Sequence, residues 1–474
     1  MITVDFEKRG NQTLCDFLVS SIKDQILNNI LKGNEKLPSK RSLAGHLGVS
    51  VITVQNAYAQ LISEGYIYSE EKVGFFVTEL KDSAVIKKSV SKKNPSAEKD
   101  YEIQSIGTEK NYVADFITNA ASLEKFPFTE WSKLMRSVLN SDNTGLLRRQ
   151  NVFGISELQK AISRYLSDFR NMKVQPSQIV IGAGTENLCS MLVQFLGREK
   201  IYGVENPGYQ KTKQIFELNG ASCVSVPIDF DGINLQVLNE KKVEVVHVSP
   251  SHHFPTGKIM PIKLRNQLIS WAAENKDRYI IEDDYDSEFR FDGKPLPTLQ
   301  SQDKNGKVIY FNTFSKTLSP SFRISYMVLP LELVELFNKR MGSYTCPVSS
   351  VDQYTLSKFI NQGDFEKHLI RMKNYYRNLR NSLIKTLVQS NLSDKIEILE
   401  EGAGLHFLLK INCKSTYHQL KEKLRAAGIN VALLSDYYSD NSVPSENAFI
   451  INYSGLQKEK ILETVELMEK VVNN

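Results

Sequence analysis

The chain has 474 residues with 59 Lys+Arg against 54 Asp+Glu, 41% hydrophobic and 24% charged residues, and a mean hydropathy of −0.30. That balance excludes a purely disordered chain, because 23 Phe and 20 Tyr beside abundant Ile, Leu and Val fill a large core, and the length implies two or more domains. No apolar run reaches the roughly 18–20 residues of a membrane-spanning helix, and Asp5, Glu7, Lys8 and Arg9 stand where a signal peptide needs its apolar core, so a cytoplasmic protein that avoids membranes is expected.

In chain order, Leu14, Phe17, Leu18, Ile22, Ile26, Leu27, Ile30 and Leu31 recur at helical spacing, with Gly33 as a stop signal. Pro38-Ser39-Lys40-Arg41 starts a second helix, capped by Ser39 and burying Leu43, Ala44 and Leu47. Gly48 makes a turn, and Ser50 caps a third helix whose buried face is Val54, Ala57, Tyr58 and Leu61. Gly65 ends it, and Tyr66-Ile67-Tyr68 and Phe75-Phe76-Val77 pair as a hairpin with Lys72 near its tip. This is the order of an α+β winged helix-turn-helix. Its third helix enters the major groove by its first turn, which turns Ser50, Ile52, Thr53 and Asn56 toward bases or phosphates. Lys40, Arg41 and the wing-tip Lys72 are phosphate candidates. Net charge is no guide here, since residues 1–80 carry 8 basic against 9 acidic side chains. The strings Leu37-Pro38-Ser39-Lys40-Arg41-Ser42-Leu43-Ala44 and Thr53-Val54-Gln55-Asn56-Ala57-Tyr58 resemble the GntR-type winged-helix domain, which implies double-stranded operator DNA as partner.

Residues 81–100 hold six lysines, three acids and no aromatic residue, and read as a flexible basic linker. From about Tyr112, short apolar runs (Gln178–Ile181, Val243–Val248, Tyr279–Ile281, Val308–Phe311) alternate with helical patterns such as Thr185 to Leu196 and Ile262 to Asn275. Alternation of this kind predicts an α/β domain of parallel strands and crossover helices, followed by a smaller α+β unit. The expected domains are 10–80, a linker over 81–111, and 112–474. Five scattered cysteines and seven histidines give neither a disulfide framework nor a metal pattern, so no metal site is expected.

The strand-end strings carry the chemistry. In Asn312-Thr313-Phe314-Ser315-Lys316, a lysine beside hydroxyls is placed to form an imine with an aldehyde cofactor, and the following Arg323 can grip a phosphate. Asp283 and Tyr285, in Glu282-Asp283-Asp284-Tyr285, have the chemistry to hold a pyridinium proton and a ring hydroxyl. Gly182-Ala183-Gly184-Thr185-Glu186 joins a strand to a helix N-terminus suited to phosphate, and Tyr209 is a candidate stacking ring. These strings look like the fold-type I aminotransferases. The resemblance implies pyridoxal 5'-phosphate as cofactor, Lys316 as its Schiff-base lysine, Asp283 at the pyridine nitrogen, Tyr285 at the ring hydroxyl and Tyr209 over the ring. It makes Gly184, Thr185, Thr313 and Arg323 phosphate contacts and the protein a homodimer. Two departures stand out. Phe254 replaces the usual asparagine of Asn-Pro-x-Gly, and no arginine follows Arg425 to take a substrate carboxylate.

Joined, the two halves resemble the MocR/GabR family of bacterial transcription regulators. The resemblance implies a domain-swapped, head-to-tail dimer in which an imine at Lys316 senses an effector and the winged helices respond, on the nucleoid when bound to DNA. Two effectors remain open: pyridoxal phosphate itself, as in the similar subfamily that controls vitamin B6 synthesis, or an amino acid such as γ-aminobutyrate or a D-amino acid. The alternative is a working aminotransferase with an accessory DNA-binding domain, and half-transamination is compatible with either.

Overall fold

Side-chain caps set where the first helices begin. The computed structural model describes residues 2–79, 112–117, 125–140, 144–229, 232–291, 293, 296–439 and 447–473, and the chain divides into two compact units, Met1–Thr108 and Glu109–Asn474. The expected linker, 81–111, lies outside the described residues. In the first unit, Thr13 caps α1 (Leu14–Leu27), Ser39 caps α2 (Lys40–Leu47) and Ser50 caps α3 (Val51–Ser63). Leu18, Ile22, Leu43, Val54, Ala57, Tyr58 and Leu61 form their common core. Helix α1 ends earlier than Gly33 suggests. Asn28 closes it by donating its side-chain amide to the Asp24 carbonyl at 2.8 Å, and Asn29 follows at φ 60°. Leu27 and Ile30, expected on the buried face, are therefore exposed, while Leu31 returns to the core. Strands β1 (Lys36–Leu37), β2 (Ile67–Glu70) and β3 (Gly74–Val77) make an antiparallel sheet in the order β1-β3-β2. The hairpin was expected from the sequence; the third strand was not.

The second unit opens with β4 (Ala114–Asp115), α4 (Phe128–Leu139) and α5 (Ser156–Arg170). There follow β5 (Ile179–Gly182), α6 (Thr185–Leu196), β6 (Ile201–Asn206), α7 (Gln210–Leu218), β7 (Ser222–Asp229), β8 (Gly232–Ile233), α8 (Leu235–Glu240) and β9 (Val245–Val248). Helix α9 (Ile262–Ala273), β10 (Tyr279–Asp283), α10 (Leu299–Gln302), β11 (Val308–Thr313), β12 (Ser325–Val328), α11 (Leu331–Met341) and α12 (Ser350–Asn361) complete the larger part. The main sheet has the order β5-β12-β11-β10-β9-β6-β7-β8. Strands β5, β9, β11 and β12 are buried along their whole length because both faces of the sheet are covered there. Val180, Ile309, Phe311 and Met327 meet Leu188 and Leu192 of α6 on one face, while Ile179, Ile181, Tyr310 and Tyr326 meet Leu158 and Ile162 of α5 on the other.

The sheet is mixed where a parallel one was expected. Strand β12 runs antiparallel to both β11 and β5, and β8 runs antiparallel to β7. Residues 314–324, between β11 and β12, contain one 3-10 turn and no crossover helix, so the chain turns back beside the strand it has just left. The reversal matters for the site. It brings the start of β12 to the carboxyl ends of its neighbours, with Ser325 opposite both Thr313 and Gly182.

The long helix α13 (Asp364–Gln389) leads into the smaller part: β13 (Ile396–Leu399), β14 (His406–Ile411), α14 (Tyr417–Ala426), β15 (Ile429–Asn430), β16 (Ala432–Leu433), β17 (Phe449–Asn452) and α15 (Ile461–Asn473). Its sheet order is β13-β14-β17-β16, antiparallel throughout, and β15 pairs with β4. Leu379, Leu383, Phe407, Phe449 and Val465 centre its core. Among the described residues no helix is long and apolar enough to cross a membrane, and no group of three His, Cys, Asp or Glu residues could hold a metal ion.

Candidate functional site

In the first unit, the residues expected to read DNA divide into two kinds. Ile52 and Asn56 are exposed one turn apart on α3, opposite the buried Val54, Ala57 and Tyr58, and Gln55, which the sequence reading left out, is exposed beside them. Ser50 and Thr53 are occupied with each other. The Ser50 hydroxyl accepts the Thr53 N–H at 3.0 Å, and the two hydroxyl oxygens lie 2.8 Å apart, so this pair builds the helix start. Arg41 is exposed, whereas the Lys40 ammonium lies 5.3 Å over the Phe75 ring, which ties the start of α2 to β3. Lys72 is exposed at the turn between β2 and β3, at φ 63°.

In the second unit, a cavity of about 240 Å³ opens at the carboxyl ends of β5, β6, β9, β10 and β11, the end at which ligands bind open α/β sheets. Tyr209, Asp283, Tyr285, Thr313, Lys316 and Arg323 all line it, and so does Thr185. Gly184 sits just behind. Its backbone, at φ 92° and ψ 162°, belongs to glycine alone, and a Cβ there would come within 2.3 Å of the Arg323 guanidinium. Arg323 itself is left-handed, at φ 51° and ψ 39°, and directs its Nη2 to the Ala183 carbonyl at 3.4 Å. The turn after β11 is tied by hydroxyls. Thr313 Oγ1 accepts the Ser315 N–H at 3.1 Å and the Ser325 hydroxyl at 2.8 Å, so the register between β11 and β12 fixes where Lys316 emerges.

The electrostatics of the pocket follow from burial. Desolvation lowers the Lys316 amine to about 8, with Asp286 pulling the other way, and the amine makes no hydrogen bond or ion pair among the described residues. Asp283 Oδ2 lies 3.3 Å from His247 Nε2, while its Oδ1 is buried without a donor. Burial lifts the Glu205 carboxyl to about 8, even though it accepts the Ser249 N–H at 3.0 Å, and Asp283 adds to the rise. The Tyr285 hydroxyl lies 3.2 Å from His252 Nδ1, which also lies 2.7 Å from Asp286 Oδ2; burial, then Asp286 and Asp283, push the phenol well above its usual range. Phe254 packs against Tyr209, His406 and Tyr437, so the wall where an asparagine is usual is aromatic. Near the missing late arginine, Asn452 lines the cavity, while Ile450 packs away from it with Leu408 and Ala448. The sequence reading assigned no role to Glu205, His247, His252, Asp286 or His406. Glu205 stands four residues before Tyr209 and Asp286 directly follows Tyr285, which was the signal available.

Comparison with known proteins matches the family "Aminotransferase class I and II" over residues 113–466 and "Bacterial regulatory proteins, gntR family" over residues 14–77. The chain is 36% identical to the HTH-type transcriptional regulator YdeL of Bacillus subtilis, covering 94% of each chain. It is 30% identical to the probable rhizopine catabolism regulatory protein MocR of Rhizobium meliloti, over 94% of this chain and 91% of that one. It is 29% identical to the pyridoxine biosynthesis regulator PdxR of Corynebacterium glutamicum, over 90% of each. Among solved structures, an archaeal alanine:glyoxylate aminotransferase superposes with a TM-score of 0.67 at 24% identity, over 76% of this chain and 90% of that one, a likeness of fold. A gntR-type reader and a class I and II aminotransferase fold in one chain, alike along almost its whole length to such regulators, mean that the chain belongs to the MocR/GabR family of HTH-type transcriptional regulators.

Proposed function

We propose that the aminotransferase-like unit, residues 112–474, holds pyridoxal 5'-phosphate and that this compound is itself the effector that sets how tightly the reader, residues 10–80, holds operator DNA. The observation that carries the reading is the convergence of Lys316, Asp283, Tyr285, Tyr209 and the Gly184–Arg323 cradle on one cavity. The donor set fits the group. Asp283 has a buried oxygen in need of a donor, such as a pyridinium N–H; Arg323 and the α6 N-terminus suit a phosphate; and Lys316 offers an amine whose proton is weakly held. When bound, pyridoxal phosphate supplies an aldehyde that condenses with amines. Lys316 would take that aldehyde, Tyr285 would hold the ring hydroxyl, steadied by His252 and Asp286, and Tyr209 would cover the ring.

Two features favour the cofactor over an amino acid as the signal. No arginine follows Arg425 to meet a substrate carboxylate, and the residue that lines the cavity at the end of β17 is the neutral Asn452. A carboxylate entering there without a cationic partner loses a charge-assisted pair and its hydration. The similarity to a pyridoxine biosynthesis regulator supports the same choice. We further take the protein to be a cytoplasmic homodimer whose role is signalling rather than turnover; exposed Phe128, Leu139, Leu147 and Tyr344 give such a dimer apolar area to bury.

Absorbance and operator binding of the purified protein test the reading together. Added pyridoxal phosphate should give a long-wavelength band that borohydride bleaches, Lys316→Ala should lack it, and saturating pyridoxal phosphate should change operator affinity in the wild type alone. An unchanged operator affinity at saturation, with a change on adding an amino acid, overturns the choice of effector. Sustained conversion of an amino acid and a keto acid overturns the choice of regulator over enzyme.

A further inference from the structure

Glu186 is the second residue of α6, and two cations share its carboxylate. Its Oε2 accepts from Arg323 Nη2 at 3.1 Å, and its Oε1 is ion-paired with the Lys211 ammonium near the start of α7. Arg323 is the guanidinium that closes over Gly184, so the cation suited to a phosphate already has an anionic partner from its own chain. A phosphate monoester arriving at the Gly184–Thr185 turn meets that carboxylate on the same guanidinium. Two like charges a few ångströms apart cannot both keep the arginine without cost. The pair is also free to open, because the Glu186, Arg323 and Lys211 side chains are 41%, 46% and 48% exposed, and an ion pair in that setting is held only weakly.

We infer that Glu186 is an internal competitor for phosphate: a phosphate-bearing ligand binds only as Glu186 gives up Arg323, and this exchange sets the affinity of the site. The inference rests on the reading that the cavity takes pyridoxal phosphate, and it names the residue that tunes that binding. Lys211 gives the displaced carboxylate somewhere to remain, which keeps the exchange local to the α6 and α7 N-termini. The consequence suits a sensor. A site that meets its ligand with a bound counter-charge releases it more readily, so occupancy follows concentration instead of saturating permanently. The effect is confined to the phosphate, since pyridoxal, which has the same ring and aldehyde, does not contend for Arg323.

Equilibrium titration of the full-length protein with pyridoxal phosphate and, separately, with pyridoxal tests this in wild type, Glu186→Gln and Glu186→Ala. Both variants should bind pyridoxal phosphate roughly tenfold more tightly, the Coulomb cost of one negative charge beside a dianion in largely aqueous surroundings, and the gain should shrink as salt is raised. Pyridoxal affinity should not change, and inorganic phosphate should displace pyridoxal phosphate from the variants at lower concentration than from wild type. Weaker or unchanged pyridoxal phosphate binding in the variants would mean that Glu186 orients Arg323 or is idle, and an equal gain for pyridoxal would mean a general loosening; either overturns the inference while leaving the cofactor reading intact. Absence of binding by wild type and variants alike overturns the cofactor reading and the inference with it.

Discussion

Lys316 is held away from water, and its amine is less basic for it. Burial lowers its amine from an ordinary 10.5 to about 8, and Asp286 partly opposes the fall. The sign follows directly. An amine with a lowered pKa becomes neutral as pH rises through the lower value, so its nucleophilic form is populated near pH 8 instead of two or more units higher. The rate at which the protein captures pyridoxal phosphate should therefore climb through a midpoint near 8, and Asp286→Asn should move that midpoint downward by removing the opposing charge. Stopped-flow absorbance across pH measures both, and comparing wild type with variant cancels the ionisation of the cofactor itself. A midpoint that stays put in Asp286→Asn would show that Asp286 acts only on His252, 2.7 Å away, and not on the lysine.

At the level of elements, the reader depends on how α3 starts. Ser50 accepts the Thr53 N–H at 3.0 Å, so Ser50→Ala should cost about 1 kcal/mol, the usual worth of such a cap, measured as a shift in the unfolding transition of the N-terminal unit. Ser50→Asp keeps the cap and adds a negative charge at the start of α3, the helix expected to enter DNA. Stability should hold while operator affinity falls, which separates the structural from the recognition role of the position. The same caps explain what the sequence made legible. The start of α2 after Ser39, the start of α3 after Ser50, and α6 from Thr185 to Leu196 could all be read, because a side chain or a glycine at the boundary decides them locally. Buried strands such as β5 and β11 were legible as apolar runs, since both their faces are covered. What escaped depends on partners distant in the chain. The antiparallel direction of β12, the addition of β1 to the wing, the His252–Asp286 pair and the Glu186–Lys211–Arg323 bridge are settled by register and packing, to which periodicity is blind. Helix α1 shows the opposite failure. Its apolar period runs on to Leu31, but Asn28 and Asn29 end the helix because they tolerate the turn that closes it.

For the whole molecule, regulation is a free-energy coupling between two sites on separate units, and the reader must respond through arrangement more than through charge, since residues 1–80 carry 8 basic and 9 acidic side chains. A ligand shifts DNA binding only by preferring one state of the protein over another; tight binding to both states shifts nothing. Such a preference has a consequence that can be checked from the other side. If pyridoxal phosphate changes operator affinity by some factor, typically about 5 to 150-fold for coupled sites, operator DNA must change pyridoxal phosphate affinity by that same factor and in the same direction. Spectroscopic titration with pyridoxal phosphate, with and without saturating operator at one fixed salt concentration, gives one factor, and operator titration with and without pyridoxal phosphate gives the other. A factor of one in both titrations would show that DNA and ligand are not coupled, and an effect of unrelated DNA equal to that of the operator would show that the coupling is not specific to the operator. Glu186→Gln sharpens the comparison: it should tighten pyridoxal phosphate binding in both states of the protein and leave the ratio between them unchanged, because Arg323, Glu186 and Lys211 all lie within the second unit. A changed ratio would place that bridge on the path between the two sites.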